Sequence, residues 1–322
     1  MKVYRALILV FAASFAAAQP PASSSLLVLS KGDQTLAVVD PQTRRVLGRV
    51  PSGPDPHEVV ASTDGRMAFI ANYNGGGNII TPVDLVAMKA LPPIDLGALR
   101  APHGVAFAGG RLWFTAEGAG AVGTYDPATG KVERALDTGQ NGTHMVFVLN
   151  PQRLVTTNMG SGTLTIAEKA SAGGEWKQTV VTVGPRGEGF DVSPDGKQAW
   201  VANAGDGTVS IIDVAAGKVT ETLQANVNGA NRLKFTPDGK LALISTLSGT
   251  DLTVIDVATR RVAKRLNIGR AAGIQMQPDG ARAFVACTPD NSVAIIDLKT
   301  LDVAGRIDAG RQPDGLAWAV RR

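Results

Sequence analysis

The chain contains three histidines, His57, His103 and His144, and they stand in matching surroundings. The contexts are Pro56-His57-Glu58-Val59, Pro102-His103-Gly104-Val105 and Thr143-His144-Met145-Val146. Each imidazole precedes an apolar stretch, and the three recur roughly forty residues apart, the length of a small repeating unit. Later units place Glu188, Asn231, Ala272 and Asp314 at the same point. If the units are arranged about an axis, residues at one repeat position become neighbours. Three neutral imidazoles with Glu188 beside them can hold Zn²⁺, Cu²⁺, Fe²⁺, Ni²⁺ or Mn²⁺ and leave a position open. An ion held so would acidify a bound water or polarise a carbonyl. Without an ion, the same cluster offers an imidazole base and a carboxylic acid. The expected metal set is therefore His57, His103, His144 and Glu188. Asp314, Asn231, Arg186, Arg232, Glu117 and Tyr73 are candidates for ligand contacts around it, the two arginines for an anionic group.

The elements that carry these residues are short strands. Segments starting at Phe190, Leu233 and Ile274 each show an apolar strand, a Ser/Thr/Gln-Pro-Asp-Gly turn and a second strand. A Gly/Asn-rich turn, a third strand ending in Asp and a fourth strand follow. Proline presets φ and glycine accepts positive φ in such turns. The closing acids Asp213, Asp256 and Asp297 are placed to bond the backbone two residues on. Worn copies run from Val59 to Val86, Val105 to Val132 and Met145 to Ala167, the last with an insertion near Ser171 to Gly174. The first copy, from Leu26, lacks its first strand, and Gly315 to Val320 at the other end of the chain supplies a match. Six whole copies and one split copy predict an all-β, seven-bladed β-propeller of four-stranded blades. The C-terminal strand joins the N-terminal blade and closes the ring. First strands line the central channel, so the histidine position forms one mouth.

A second ring closes the second strands: Ser30, Asn72, Ala116, Asn158, Asn203, Thr246 and Cys287. Its asparagines read as strand-end caps. Lys31, Tyr73 and Glu117 follow that ring and face the histidine mouth. Cys287 reads as a small buried residue, and Trp113, Trp200 and Trp318 as packing between blades.

The segments AWVANAGDGTVSIIDVAAGKV and AFVACTPDNSVAIIDLKTLDV resemble the YVTN β-propeller repeat, and the resemblance covers nearly all of the chain after its first residues. It implies an exported bacterial propeller. Similar propellers include surface and periplasmic proteins, accessory proteins near quinone-dependent dehydrogenases, virginiamycin B lyase and lactonases. The repeat is specific for fold, and function must be argued from the site.

The first residues fit export. Lys2 and Arg5 precede an apolar run, Ala6 to Ala18, that ends in three alanines, the pattern of a cleaved signal peptide over residues 1–18. A short linker, 19–25, then leads to one propeller domain, 26–320, in the periplasm or outside the cell. Without Lys2 and Arg5 the formal charge falls from +4 to +2, with no block of like charge, which disfavours nucleic acid and anionic lipid as partners. No later stretch is long enough to span a bilayer. The single cysteine excludes an internal disulfide. The sequence lacks a phosphate loop, a Cys-x-x-Cys pair, a haem attachment motif and a nucleophile elbow, and Asn74 to Asn78 reads as a hairpin turn. Two functions fit. One is a monomer binding a transition metal or small ligand at the mouth, with hydrolase or lyase chemistry open to it. The other is a non-catalytic scaffold presenting its faces to a protein partner.

Overall fold

The computed structural model describes residues 23–73 and 77–321. The expected signal peptide, residues 19–22 of the expected linker, Asn74 to Gly76 and Arg322 lie outside the described residues. The described residues form seven antiparallel sheets, the blades of a β-propeller. In each, the chain runs from an innermost strand outward. Blade 1 is the split one: Pro313–Arg321 lies inside Ser23–Ser30, Thr35–Asp40 and Arg45–Pro51. Its N-terminal strand starts three residues before the expected domain edge, because Ser23 to Ser25 pair with Arg321 to Ala319. The innermost strands of blades 2 to 7 are Pro56–Ala61, Pro102–Ala108, Thr143–Asn150, Gly187–Val192, Ala230–Phe235 and Ile274–Met276. Blade 2 departs from four strands. Its outer strand is broken into Lys89–Ala90 and Ile94–Asp95, since Pro92 and Pro93 cannot donate to the ladder. No helix among the described residues is long and apolar enough to cross a membrane.

Local chemistry makes the turns as the repeat predicts. At Ser193-Pro194-Asp195-Gly196, the Ser193 hydroxyl donates to Asp195 at 2.6 Å, Asp195 accepts from Lys197 N at 3.1 Å, and Gly196 has φ +72°. Asp213 accepts from the backbone of Ala215 and Ala216, and Asp297 from Lys299 and Thr300, at 2.8–3.0 Å. Blade-to-blade packing supplies the core. Trp200 meets Phe235 edge-on at 5.3 Å across blades 5 and 6, and Phe284 lies 5.7 Å from Trp318 across blades 7 and 1. Trp113 packs with Val146 and Leu154 of blade 4. Cys287 is fully buried in the same kind of seam.

Two rings near the mouth have different roles. Asn72, Asn158 and Asn203 are fully buried. Asn203 donates to Thr208 and Ser210 at 2.8 and 3.0 Å, and Asn158 to Thr163 and Thr165 at 3.0 and 2.9 Å. Asn72 donates to the carbonyls of Ser52 and Pro54. These amides cap strand ends and tie turns down, as their repeat position predicts. The histidine position is built differently, by a β-bulge. Pairing skips a residue between Pro56 and Glu58, between Thr143 and Met145, and between Gly187 and Gly189. Similar shifts fall at 102–105, 230–233 and 313–316. A bulge re-aims the side chain at the extra residue. It also lets two successive residues face the channel, which a regular strand forbids.

Candidate functional site

The bulged residues rim a cavity of about 440 Å³ at the mouth of the channel. His57, His103 and His144 reach it from blades 2, 3 and 4, and Glu188, Asn231 and Asp314 from blades 5, 6 and 1. Tyr73, Lys31, Arg186 and Arg232 line it as well. Glu117 stands behind the histidines rather than on the wall, joined to two of the wall residues.

The rings form one aromatic cluster. His103 and His144 stack with centroids 3.7 Å apart and planes at 27°. His57 lies 5.5 Å from His103, and Tyr73 sits 4.8 Å from His57 and 5.1 Å from His103. The Glu117 carboxylate accepts from the Tyr73 hydroxyl and from His144 Nδ1–H, each at 3.0 Å. Burial raises the Glu117 carboxyl, but the bonds from His144 and Tyr73 outweigh it and hold it below its ordinary value. Burial together with that carboxylate pushes the Tyr73 phenol up to about 12. With Nδ1–H committed to Glu117, Nε2 is the ring nitrogen of His144 left without a partner. Lys31 donates to His57 Nε2 at 2.8 Å, which leaves His57 Nδ1–H to face Asp55, 3.3 Å from its carbonyl and 3.4 Å from its carboxylate. Lys31 also lies 3.4 Å from Asp314, whose carboxyl is raised by burial in spite of Lys31 and Arg232.

Three atoms of the wall residues have no partner in the protein. His103 is 3% exposed and His144 5%, yet His103 Nδ1, His144 Nε2 and Asn231 Oδ1 are buried without a hydrogen bond. Burial drives the His103 imidazole well below its usual range, helped by repulsion from His144 and Arg232, so it is neutral at pH 7. Leaving a buried polar atom unpaired costs about 1–3 kcal/mol, and such atoms in a cavity wall are ordinarily completed by ordered water, an ion or a ligand.

The expected metal set does not converge as placed. Among the described residues, no group of three or more His, Cys, Asp or Glu side chains is arranged to hold an ion. An ion lies in the plane of each imidazole, about 2.1 Å along the nitrogen lone pair, and stacked rings direct their lone pairs side by side. Glu188 is also spoken for: it accepts from Asn231 Nδ2 at 2.5 Å and lies 3.9 Å from Arg232. The repeat register thus brought the four residues to one cavity, where two of the imidazoles stack on each other and Glu188 is engaged by Asn231 and Arg232.

The sequence reading missed Glu58. Arg232 Nε donates to Glu58 Oε1 at 2.8 Å, and Arg232 Nη2 bonds the same oxygen. Arg232 is buried and Glu58 largely so, and they come from blades 6 and 2, so the pair spans the channel. Arg232 is therefore committed to Glu58, Glu188 and the Asn231 carbonyl rather than held ready for an anion. Although burial opposes it, attraction to Glu58, Asp314 and Glu188 raises the guanidinium further. Arg186 remains exposed at the rim, at φ +54°. One signal for Glu58 existed: it follows His57 directly, and a bulge turns both toward the axis.

Below the rim the channel narrows to a neck. The residue after the ring position is glycine in blades 1, 3, 5 and 7: Gly315, Gly104, Gly189 and Gly273. A Cβ at Gly315 would lie 2.3 Å from His57 O, and one at Gly273 2.2 Å from Asp314 O. Only glycine lets neighbouring inner strands approach so closely.

No protein-family model and no curated protein sequence matches the chain. Solved structures do. A functionally unknown protein from Desulfotomaculum acetoxidans DSM 771 aligns over 92% of this chain and 98% of its own, at 13% identity and TM-score 0.75. A candidate 6-phosphogluconolactonase from Bacteroides uniformis ATCC 8492 aligns over 92% and 99%, at 14% and 0.72. The dihydro-heme d1 dehydrogenase NirN in complex with DHE aligns over 91% and 74%, at 17% and 0.65. What these share with the chain is the propeller. At such identities the likeness concerns fold alone, and the YVTN resemblance rests on the repeat residues themselves.

Proposed function

We propose that this protein is an exported binding propeller that holds a small polar molecule in the histidine-lined mouth. One observation carries the reading: two buried imidazoles and an amide in one cavity wall each keep an atom without a partner. Asn231 Oδ1 is an acceptor, so the ligand is a donor of hydrogen bonds, such as a polyol or an amine. The Glu117 carboxylate orients His144, and Lys31 orients His57. The about 440 Å³ of space lies within the range of small-molecule sites.

A divalent transition metal is the second reading, favoured by the Glu117–His144 bond. A carboxylate behind an imidazole is how metal-bound histidines are held. It requires the His103 ring to turn out of its stack. Elemental analysis of untagged protein separates the two, together with melting temperatures in panels of polyols, amines and divalent ions. We expect metal-free protein whose melting temperature rises with a member of the polyol or amine panel and loses that rise in His103→Ala. Near-stoichiometric metal that disappears in His103→Ala would replace the first reading with the second. A melting temperature indifferent to all three panels would favour the scaffold role.

A further inference from the structure

Beneath the neck lies a second chamber, independent of the mouth. Its volume is about 320 Å³, and inner strands from six blades line it. Its wall residues follow the mouth residues by three or four positions on the same strands: Val60 after His57, Phe107 after His103, Phe147 after His144, Trp318 after Asp314. At about 3.3 Å per residue this is roughly 10–13 Å farther down the axis. Arg232 borders both spaces. Its pair with Glu58, set in a neck that admits only glycine in four blades, forms a floor between them. The propeller therefore holds two compartments along its channel, with Arg232 at their boundary.

The lower compartment has a different chemistry. Val60, Val105, Phe107, Phe147 and Trp318 line it, each only half-buried: Phe107 stacks on Phe69 and Trp318 packs against Phe284, and part of each of the five side chains stays uncovered. One cation stands among them. Lys234 is a third exposed and lies 3.6 Å from Asp191, a single contact for a group with three donors. Asp191 is itself buried and accepts from Phe235 N at 3.0 Å. The Glu58 and Arg232 charges at the floor are spent on each other.

We infer that this lower chamber is a second ligand site, for a small aromatic acid whose ring packs against Phe107, Phe147 and Trp318 and whose carboxylate pairs with Lys234. Aromatic walls favour a flat apolar body through edge-to-face and offset contacts, and an ammonium beside an apolar wall fixes which end of it is charged. The site requires no ligand at the histidine mouth.

Titration of the full chain with 2-naphthoate, followed by calorimetry and by tryptophan fluorescence, tests this. Saturable one-to-one binding with quenching is expected. Lys234→Met should weaken it about tenfold or more, the worth of one charged hydrogen bond. Trp318→Phe should remove most of the quenching, and uncharged 2-naphthol should bind as weakly to the native chain as 2-naphthoate does to Lys234→Met. His103→Ala, which alters only the mouth, should leave 2-naphthoate affinity unchanged. Absence of saturable binding would overturn the inference. So would binding that His103→Ala abolishes, or binding indifferent to both Lys234→Met and Trp318→Phe in variants that melt as cooperatively as the native chain.

Discussion

At the scale of single residues, His103 is an imidazole held almost wholly out of water. Burial disfavours its charged form, and His144 and Arg232 repel a further positive charge. In the unfolded chain the same imidazole takes a proton near pH 6.5. Below that pH the unfolded state binds a proton that the native state refuses, so stability is full above about pH 6.5 and falls as the pH drops through it. The slope contributed is at most one proton, about 1.4 kcal/mol per pH unit. Urea denaturation across that window, comparing the native chain with His103→Asn, should show the variant losing less stability toward acid. Parallel curves would mean that the imidazole titrates as though exposed. That His103 faces the mouth is legible in the sequence, because equal repeat positions share a ring. That its ring stacks on His144 is not, because the χ angles answer to neighbours in the next blade.

At the scale of elements, the bulge at the start of the inner strands of blades 1 to 6 is the device that makes the site. It presents both the ring residue and the one after it to the channel, and the second position is where the blades crowd. Gly315→Ala places a Cβ against the His57 carbonyl and the Glu58 Cα, backbone atoms that cannot swing aside as a side chain can. A loss of about 1–3 kcal/mol in urea denaturation is expected, the usual cost of overpacking. Gly173→Ala is the matched control, since nothing lies within 4 Å of its added carbon, and it should be neutral within about 0.5 kcal/mol. Equal stability of the two variants would show that the inner strands spread without cost. The turns and asparagine caps were readable in advance, because each joins residues a few positions apart. The bulges were not, since they appear only when a strand is paired and its partner's residues are counted.

At the scale of the whole molecule, ring closure sets what meets on the axis. Arg232 and Glu58 are far apart in sequence and bond across the channel, both largely buried. Removing one partner strands the other's charge, so Arg232→Met should destabilise by about 3–5 kcal/mol. Adding Glu58→Met should recover most of that loss, since apolar pairs replace buried ion pairs at little net cost. A double mutant no more stable than the single one in the same denaturation experiment would show that the arginine matters for packing rather than for charge. The pair also separates the two compartments, so its loss is the change that would join them.

The repeat, its turn chemistry, the split first blade and the register of the histidine ring all follow from the amino-acid sequence. They depend on contacts within one unit, or on one unit being copied seven times. The stacked imidazoles, the Glu58–Arg232 floor and the chamber beneath it depend on spacing between different blades. That spacing comes from seven twisted sheets closing on one axis, where crowding admits glycine in some blades and charge in others. No pattern within a unit encodes how much room the closed ring leaves at its centre, and so only the tertiary structure decided it.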